Sequence, residues 1–152
     1  MASWAEFEAS EPDLAGRVKE RFAIRKHKTL ATLRQDGSPR ISGIEAEIDG
    51  GEVLIGMMPG SVKLRDLERD PRLALHSPTE DPPAENPRGW SGEAKISGRA
   101  LPVVYEKAAA SGGAGFRVDI AEVVLTHLND RGDRLVVESW RAGRGLRRIE
   151  RS

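Results

Sequence analysis

Two glycine turns follow one another closely along this chain and limit the folds open to it. Asp36-Gly37-Ser38-Pro39 and Asp49-Gly50-Gly51 each lie between stretches in which apolar and polar residues alternate. Glycine supplies the positive φ that tight turns need, and proline fixes the exit of the first turn. Strands of period two that are joined by tight turns pair as antiparallel neighbours. The pattern therefore predicts an antiparallel meander over residues 29–34, 40–48 and 52–58.

Further stretches continue this β pattern and add a few helices. The predicted strands are 72–77, 90–104, 116–128 and 135–140, and the predicted helices are 10–27, 61–69 and 105–110, with a loop at 78–89 and a basic tail at 141–152. Ser10 is the predicted N-cap of the long first helix, with Asp13 closing a capping box. About seven antiparallel strands must close or pair to hide their edges. We predict a mainly β fold: a small β-barrel with one long N-terminal helix and short helices, in a single domain of residues 1–152.

Composition excludes several classes of function. The 152 residues include no cysteine, which rules out disulfides, thiolate metal sites and a cysteine nucleophile. The 24 basic and 24 acidic residues cancel, so bulk charge gives no argument for nucleic acid or an acidic membrane surface. The apolar stretches are too short to span a bilayer, and the N-terminus lacks the basic cluster of a signal peptide. We expect a cytoplasmic protein with no nucleic-acid or membrane partner.

A break after the third predicted strand predicts a phosphate site. Pro59-Gly60 ends the strand, and Ser61 stands where the next helix begins. Helix N-termini carry free N–H groups and a partial positive charge, so they attract anions. Lys63 and Arg65 add full positive charges one turn in. The alternative for Ser61 and Lys63 is an ordinary N-cap with a solvated lysine.

Short motifs in a fixed order resemble the pyridoxamine 5'-phosphate oxidase-like, FMN-binding split-barrel superfamily. They are Leu33-Arg34-Gln35-Asp36-Gly37-Ser38-Pro39, Gly60-Ser61-Val62-Lys63, Arg69-Asp70-Pro71-Arg72, Phe116-Arg117-Val118-Asp119, Glu138-Ser139-Trp140 and Gly143-Arg144-Gly145-Leu146-Arg147. The similarity covers roughly residues 25–148. It implies a homodimer of split β-barrels with two identical cofactor sites in the interface, each lined by both chains.

The resemblance also implies three groups of cofactor contacts. Ser61 and Lys63 would hold the phosphate of FMN, with Arg34 and Arg65 nearby. The flavin ring would lie along the second strand, near the end of the third, and under residues of the partner chain. The residues implied for the ring are Arg40, Ile41, Ser42 and Gly43, then Met57 and Met58, and finally Trp140 and Arg141 from the partner. The implied activity is hydride transfer between the flavin and a small organic substrate.

Several alternatives stay open at this point. A deazaflavin (coenzyme F-420) could replace FMN, because it also carries a phosphate. A non-catalytic flavin carrier and a protein that has lost its site are further alternatives. A branch of the superfamily handles haem, so His27, His76 or His127 could be an iron ligand, although no metal motif surrounds them. One of Met57 and Met58 must face the core, and a tryptophan such as Trp140 is more often a core or interface aromatic residue than a ring contact.

Overall fold

The two predicted turns join the first three strands of an eight-stranded antiparallel sheet. The computed structural model describes residues 1–152. The strands are β1 (His27–Leu33), β2 (Pro39–Asp49), β3 (Glu52–Met57), β4 (Arg72–His76), β5 (Glu93–Val103), β6 (Ala114–Leu128), β7 (Leu135–Arg141) and β8 (Gly145–Arg151). At the turns, φ is +85° for Gly37, +58° for Gly50 and +78° for Gly51, values that glycine adopts without strain.

Six of the strands close into a barrel. The strand order is β3-β2-β1-β4-β5-β6-β7-β8, and a further pairing of β3 with β6 completes the ring. β6 can serve three neighbours because it has 15 residues: its start pairs with β3, its length with β5 and its end with β7. β7 and β8 lie outside the ring. The prediction of a β-barrel of the split-barrel type is confirmed.

The structure corrects the N-terminal helix. Two helices, α1 (Trp4–Ser10) and α2 (Pro12–Ala23), replace the predicted helix over 10–27. Proline disfavours helical geometry in the residue before it, and Glu11 has φ −138° and ψ 72°. Ser10 therefore ends α1 and is not the N-cap of the second helix. Residues from His27 onward already belong to β1.

The C-terminal segment was also predicted incorrectly. Residues 145–151 form β8, which pairs with β7 from Leu135↔Arg151 to Arg141↔Gly145. The remaining helices agree with the sequence: α3 (Val62–Arg69) and α4 (Glu106–Ala109), with only a short 3₁₀ turn (Pro87–Gly89) in the proline-rich loop. None of the helices has the length and apolar character that crossing a membrane requires.

The helices pack on one continuous apolar core. Leu14, Val18 and Phe22 of α2 are buried, as their helical spacing predicts. Phe7 of α1 contacts the ring of Trp140 at a centroid distance of 4.9 Å. Leu67 of α3 is 3% exposed and belongs to the same core cluster. This contact fixes α3 against the barrel, so the groups at its N-terminus have defined positions.

Candidate functional site at the start of α3

The first turn of α3 has the geometry of a capped helix. Ser61 is the N-cap, with φ −66° and ψ 149°, and its Oγ accepts a 3.3 Å hydrogen bond from the backbone N–H of Leu64. The first turn contains no acidic residue. Because the Ser61 oxygen acts as the acceptor in this bond, its own O–H remains available as a donor. The prediction that the helix begins at Ser61 is confirmed.

Three cations near this turn have no carboxylate partner. Lys63 Nζ donates to the backbone oxygen of Gly43 at 3.0 Å, and Arg65 Nη2 donates to that of Gly60 at 3.2 Å. Neither side chain forms an ion pair, and the same holds for the exposed Arg34 at the end of β1. Carbonyl oxygens do not neutralise a full positive charge. The start of α3 is therefore electropositive.

A buried carboxylate organises the far side of the same helix. Asp66 is 2% exposed and accepts hydrogen bonds from Thr32 Oγ1 at 2.8 Å, Arg40 Nε at 2.7 Å and Arg69 Nη2 at 2.9 Å. Burial raises the pKa of Asp66, but the hydrogen bonds from Arg40, Thr32 and Arg69 outweigh burial and lower the pKa to about 2. Asp66 is thus an ionised group that fixes two arginines.

An open cavity of about 580 Å³ lies between α3 and the β1–β2 turn. We call it the basic pocket. Its lining consists of Arg34, Gln35, Asp36, Arg40, Val62, Arg65, Asp66 and Arg69. Both acidic groups in it already accept hydrogen bonds, Asp66 as above and Asp36 from Ser38. The four arginines outnumber the two carboxylates, so the basic pocket suits an anion.

The four residues predicted beneath the ring do not share one surface. Side chains alternate along β2, so Arg40 and Ser42 are half-buried on the inner side of the strand, whereas Ile41 and Gly43 are exposed on the outer side. Arg40 turns toward Asp66. Ile41 is 75% exposed and lines a second cavity, of about 590 Å³, on the outer face of the sheet. The four residues thus lie on two faces of β2, and their contact with a flavin ring stays a prediction.

This second cavity, which we call the outer groove, crosses β1, β2, β4, β5 and β6. Its lining includes Thr29, Ala31, Ile41, Ala74, His76 and Lys95. Small and apolar side chains alternate in its lining with polar ones, among them Ser97 and Glu122. Such a surface matches a flat ring with apolar faces and a polar edge.

Comparison with known proteins decides the fold. No family model matches the sequence and no curated protein is found as a relative, but 74 chains of solved structures match. One is a pyridoxamine 5'-phosphate oxidase-related, FMN binding protein from Nostoc punctiforme PCC 73102, 9% identical, with a TM-score of 0.62 over 100% of this chain and 98% of that chain. The chain has the split-barrel fold of this FMN binding protein.

Other split barrels with the same fold carry different names. An F420 reductase is 15% identical, with a TM-score of 0.52 over 69% of this chain and 94% of that chain. A heme binding protein from Mycobacterium smegmatis is 13% identical, with a TM-score of 0.56 over 88% of this chain and 86% of that chain. Because flavin, deazaflavin and haem all occur among these names, the fold alone does not choose a cofactor.

In this split barrel, the donors around α3 fit a phosphate group. The donors are the Ser61 hydroxyl, the free N–H groups of the first turn, and the side chains of Lys63 and Arg65. The carboxylate in this region, Asp66, is already bound by two arginines and does not repel an anion at full strength. These donors are of the kind that a phosphate needs, and the phosphate site itself stays a prediction.

Four other predicted site residues have mixed placements. Strand alternation leaves Met58 70% exposed, whereas Met57 is only 2% exposed. Trp140 is 4% exposed and packs against the ring of Phe7. Met57 and Trp140 are thus core side chains, and the predicted contacts of both with the ring stay predictions. Arg141 is exposed and pairs with Glu122, a residue of the outer groove, at 3.0 Å.

The three histidines lie in unlike surroundings. The His27 side chain is 75% exposed, and His76 lines the outer groove. His127 Nε2 lies 2.6 Å from the Glu138 carboxylate, which also accepts two bonds from Arg17. Burial raises the pKa of Glu138, but its hydrogen bonds with Arg17 and then His127 outweigh this and lower the pKa. His127 is thus part of a structural cluster, and no observation singles out an iron ligand.

Sequence reasoning missed the residues that surround Arg40. Asp66, Thr32 and Arg69 were assigned no role, although Asp66 and Arg69 stand three apart on α3, a spacing typical of an ion pair. That spacing was the one available signal. Thr32 and Arg40 meet Asp66 only because β1 and β2 pair at Thr32↔Arg40, which the sequence does not reveal.

Proposed function

We propose that this split barrel binds FMN and acts as an oxidoreductase on a small organic substrate. One observation carries the proposal: Lys63, Arg65 and Arg34 surround the start of α3 as cations without carboxylate partners. Neighbouring positive charges repel one another, and a bound anion would relieve that repulsion. A flavin phosphate is such an anion.

The chain's own residues divide the work of binding. Ser61 and the first-turn N–H groups donate to the phosphate, and Lys63 adds a charge-assisted bond. Arg40 and Arg65 approach from the basic pocket. Ile41 and Met58, both exposed and apolar, cover part of the ring, and Gly43 permits close approach because nothing lies within 4 Å of its Cβ position. Bound FMN would supply the hydride chemistry, and the protein would orient it and exclude water.

We further propose that the protein is a homodimer. The outer groove is open, and Ile41 stands on it with 75% of its surface exposed. A second copy laid over this groove would bury Ile41 and enclose the ring. Arg141 lies at the rim, paired with Glu122, where it can face the other subunit.

Deazaflavin is the second candidate, and the basic pocket favours it. The deazaflavin cofactor carries a phosphate and an additional acidic tail. Arg34, Arg40, Arg65 and Arg69 line a cavity large enough for carboxylates beyond one phosphate. Ser61 and Lys63 would serve either cofactor in the same way.

A spectrum of the purified protein separates these candidates. The visible absorption band of FMN or the shorter-wavelength band of deazaflavin identifies a retained cofactor, and titration of colourless protein tests each in turn. In an oxidoreductase, a candidate acceptor oxidises the bound, reduced cofactor faster than it oxidises the same cofactor free in solution. A carrier shows binding without that acceleration. A protein that binds neither compound contradicts the proposal.

A further inference from the structure

The contacts of Arg40 have an unusual asymmetry. Its Nε donates to Asp66 Oδ2 at 2.7 Å, while neither Nη group has an acceptor in the protein. A guanidinium presents two hydrogen-bonding edges, and only one of them is engaged here. The Nη1/Nη2 edge remains free, and Arg40 is one of the residues that line the basic pocket.

The group that holds Arg40 is itself immobilised on all sides. Asp66 is 2% exposed and is bound by Thr32 from β1, Arg40 from β2 and Arg69 from α3. Arg69 is fixed in turn by the backbone oxygen of Leu33 at 2.8 Å. Arg40 is 26% exposed, so its head reaches solvent while its Nε edge stays anchored. This arrangement fixes the orientation of the guanidinium and leaves its second edge free.

We infer that Asp66 is a positioning residue that presents the free edge of Arg40 to the phosphate of the cofactor. The inference rests on the proposed function and adds a residue that touches no ligand. The inference predicts an effect on phosphate binding opposite to the one expected from net charge alone. Asp66 is negative, so its removal should strengthen phosphate binding if only net charge mattered, whereas loss of orientation weakens it.

Paired titrations with FMN and riboflavin isolate the phosphate contribution, because riboflavin lacks only that group. We expect Asp66→Asn to weaken FMN binding by about fivefold or more, the size of an ordinary coupling between contacting groups. Riboflavin binding should stay within about twofold of the wild-type value. Asp70→Asn is the matched control: it removes the same charge from the end of α3, but Asp70 pairs with Arg72 outside the basic pocket. It should leave the FMN-to-riboflavin ratio unchanged.

Arg40→Lys gives a second variant that keeps a positive charge beside Asp66. A lysine has one ammonium and no second edge, so the preference for FMN over riboflavin should fall as it does in Asp66→Asn. In the double variant, Asp66→Asn should produce no further loss, because both changes remove the same contact. If one of the two single variants folds poorly, the other still tests the same edge of Arg40.

The outcomes separate the two levels of the argument. If the wild-type protein binds neither FMN nor deazaflavin, the proposed function falls, and the role of Asp66 falls with it. If the wild type prefers FMN to riboflavin but Asp66→Asn or Arg40→Lys keeps that full preference, the inference alone is overturned. Equal losses for FMN and riboflavin in Asp66→Asn also overturn it, since they indicate a general structural effect.

Discussion

Lys63 Nζ lies 3.0 Å from the backbone oxygen of Gly43, so the first turn of α3 is joined directly to β2. This contact uses one of the three ammonium donors and leaves two for a ligand. It also holds the positive charge beside the strand whose outer face carries Ile41. The proposed phosphate and ring positions therefore meet at one pair of residues.

Replacement of Lys63 by alanine tests the phosphate contact. We expect Lys63→Ala to weaken FMN binding by more than about tenfold, because a charge-assisted hydrogen bond contributes about 1.5–3 kcal/mol. Calorimetric titration measures the change. Lys19→Ala, at an exposed lysine of α2, serves as the control and should bind FMN like the wild type. An affinity unchanged by Lys63→Ala would remove Lys63 from the site.

Replacing Met57 or Met58 by alanine tests which face of the strand each side chain occupies at the end of β3. Met57→Ala should lower the free energy of unfolding by about 2–5 kcal/mol, as expected for a large-to-small change in a core. Met58→Ala changes an exposed side chain and should stay within about 0.5 kcal/mol of the wild type. Urea unfolding measures both. Similar losses in the two variants would contradict the observed alternation at the end of β3.

The depressed pKa of Asp66 predicts a defined dependence of stability on pH. The folded value of about 2 lies below the value of about 3.9 for an unfolded aspartate, so the ionised carboxylate stabilises the fold. That contribution is complete above about pH 5 and is lost as the pH falls from about 4 to about 2. The difference in unfolding free energy between the wild type and Asp66→Asn should therefore shrink across this range. A difference that is constant with pH would count against the buried, ionised state.

The homodimer proposal predicts a specific effect at the outer groove. Ile41→Glu should weaken dimerisation by about tenfold or more, because it places a charge in the centre of the proposed interface. Val104→Glu is the control, since Val104 is 90% exposed but does not line the groove. Sedimentation analysis over a range of concentrations measures both variants. A wild-type protein that is monomeric throughout refutes the interface.

The sequence predicted the parts of the fold that depend on local chemistry. The turns at Gly37 and at Gly50-Gly51 require positive φ, and Ser61 is a residue type that caps helices, so both could be identified from short segments. β8 was missed because charged residues such as Arg147 and Arg148 occupy both of its faces. Its exposed edge position gives it no apolar alternation to detect.

The candidate site was predictable only where one segment contains it. Ser61 and Lys63 lie together in sequence, and the structure keeps them together. Strand alternation places Arg40 and Ile41 on opposite sides of β2, but which cavity each side faces depends on tertiary contacts. The role of Asp66 depends on the pairing of β1 with β2 and on the docking of α3, and both are tertiary contacts.

A crystal structure with bound FMN tests the central claim most directly. We expect the phosphate within hydrogen-bonding distance of Ser61 Oγ and Lys63 Nζ, with the free edge of Arg40 turned toward it. A bound flavin whose phosphate lies away from the first turn of α3 would contradict the account.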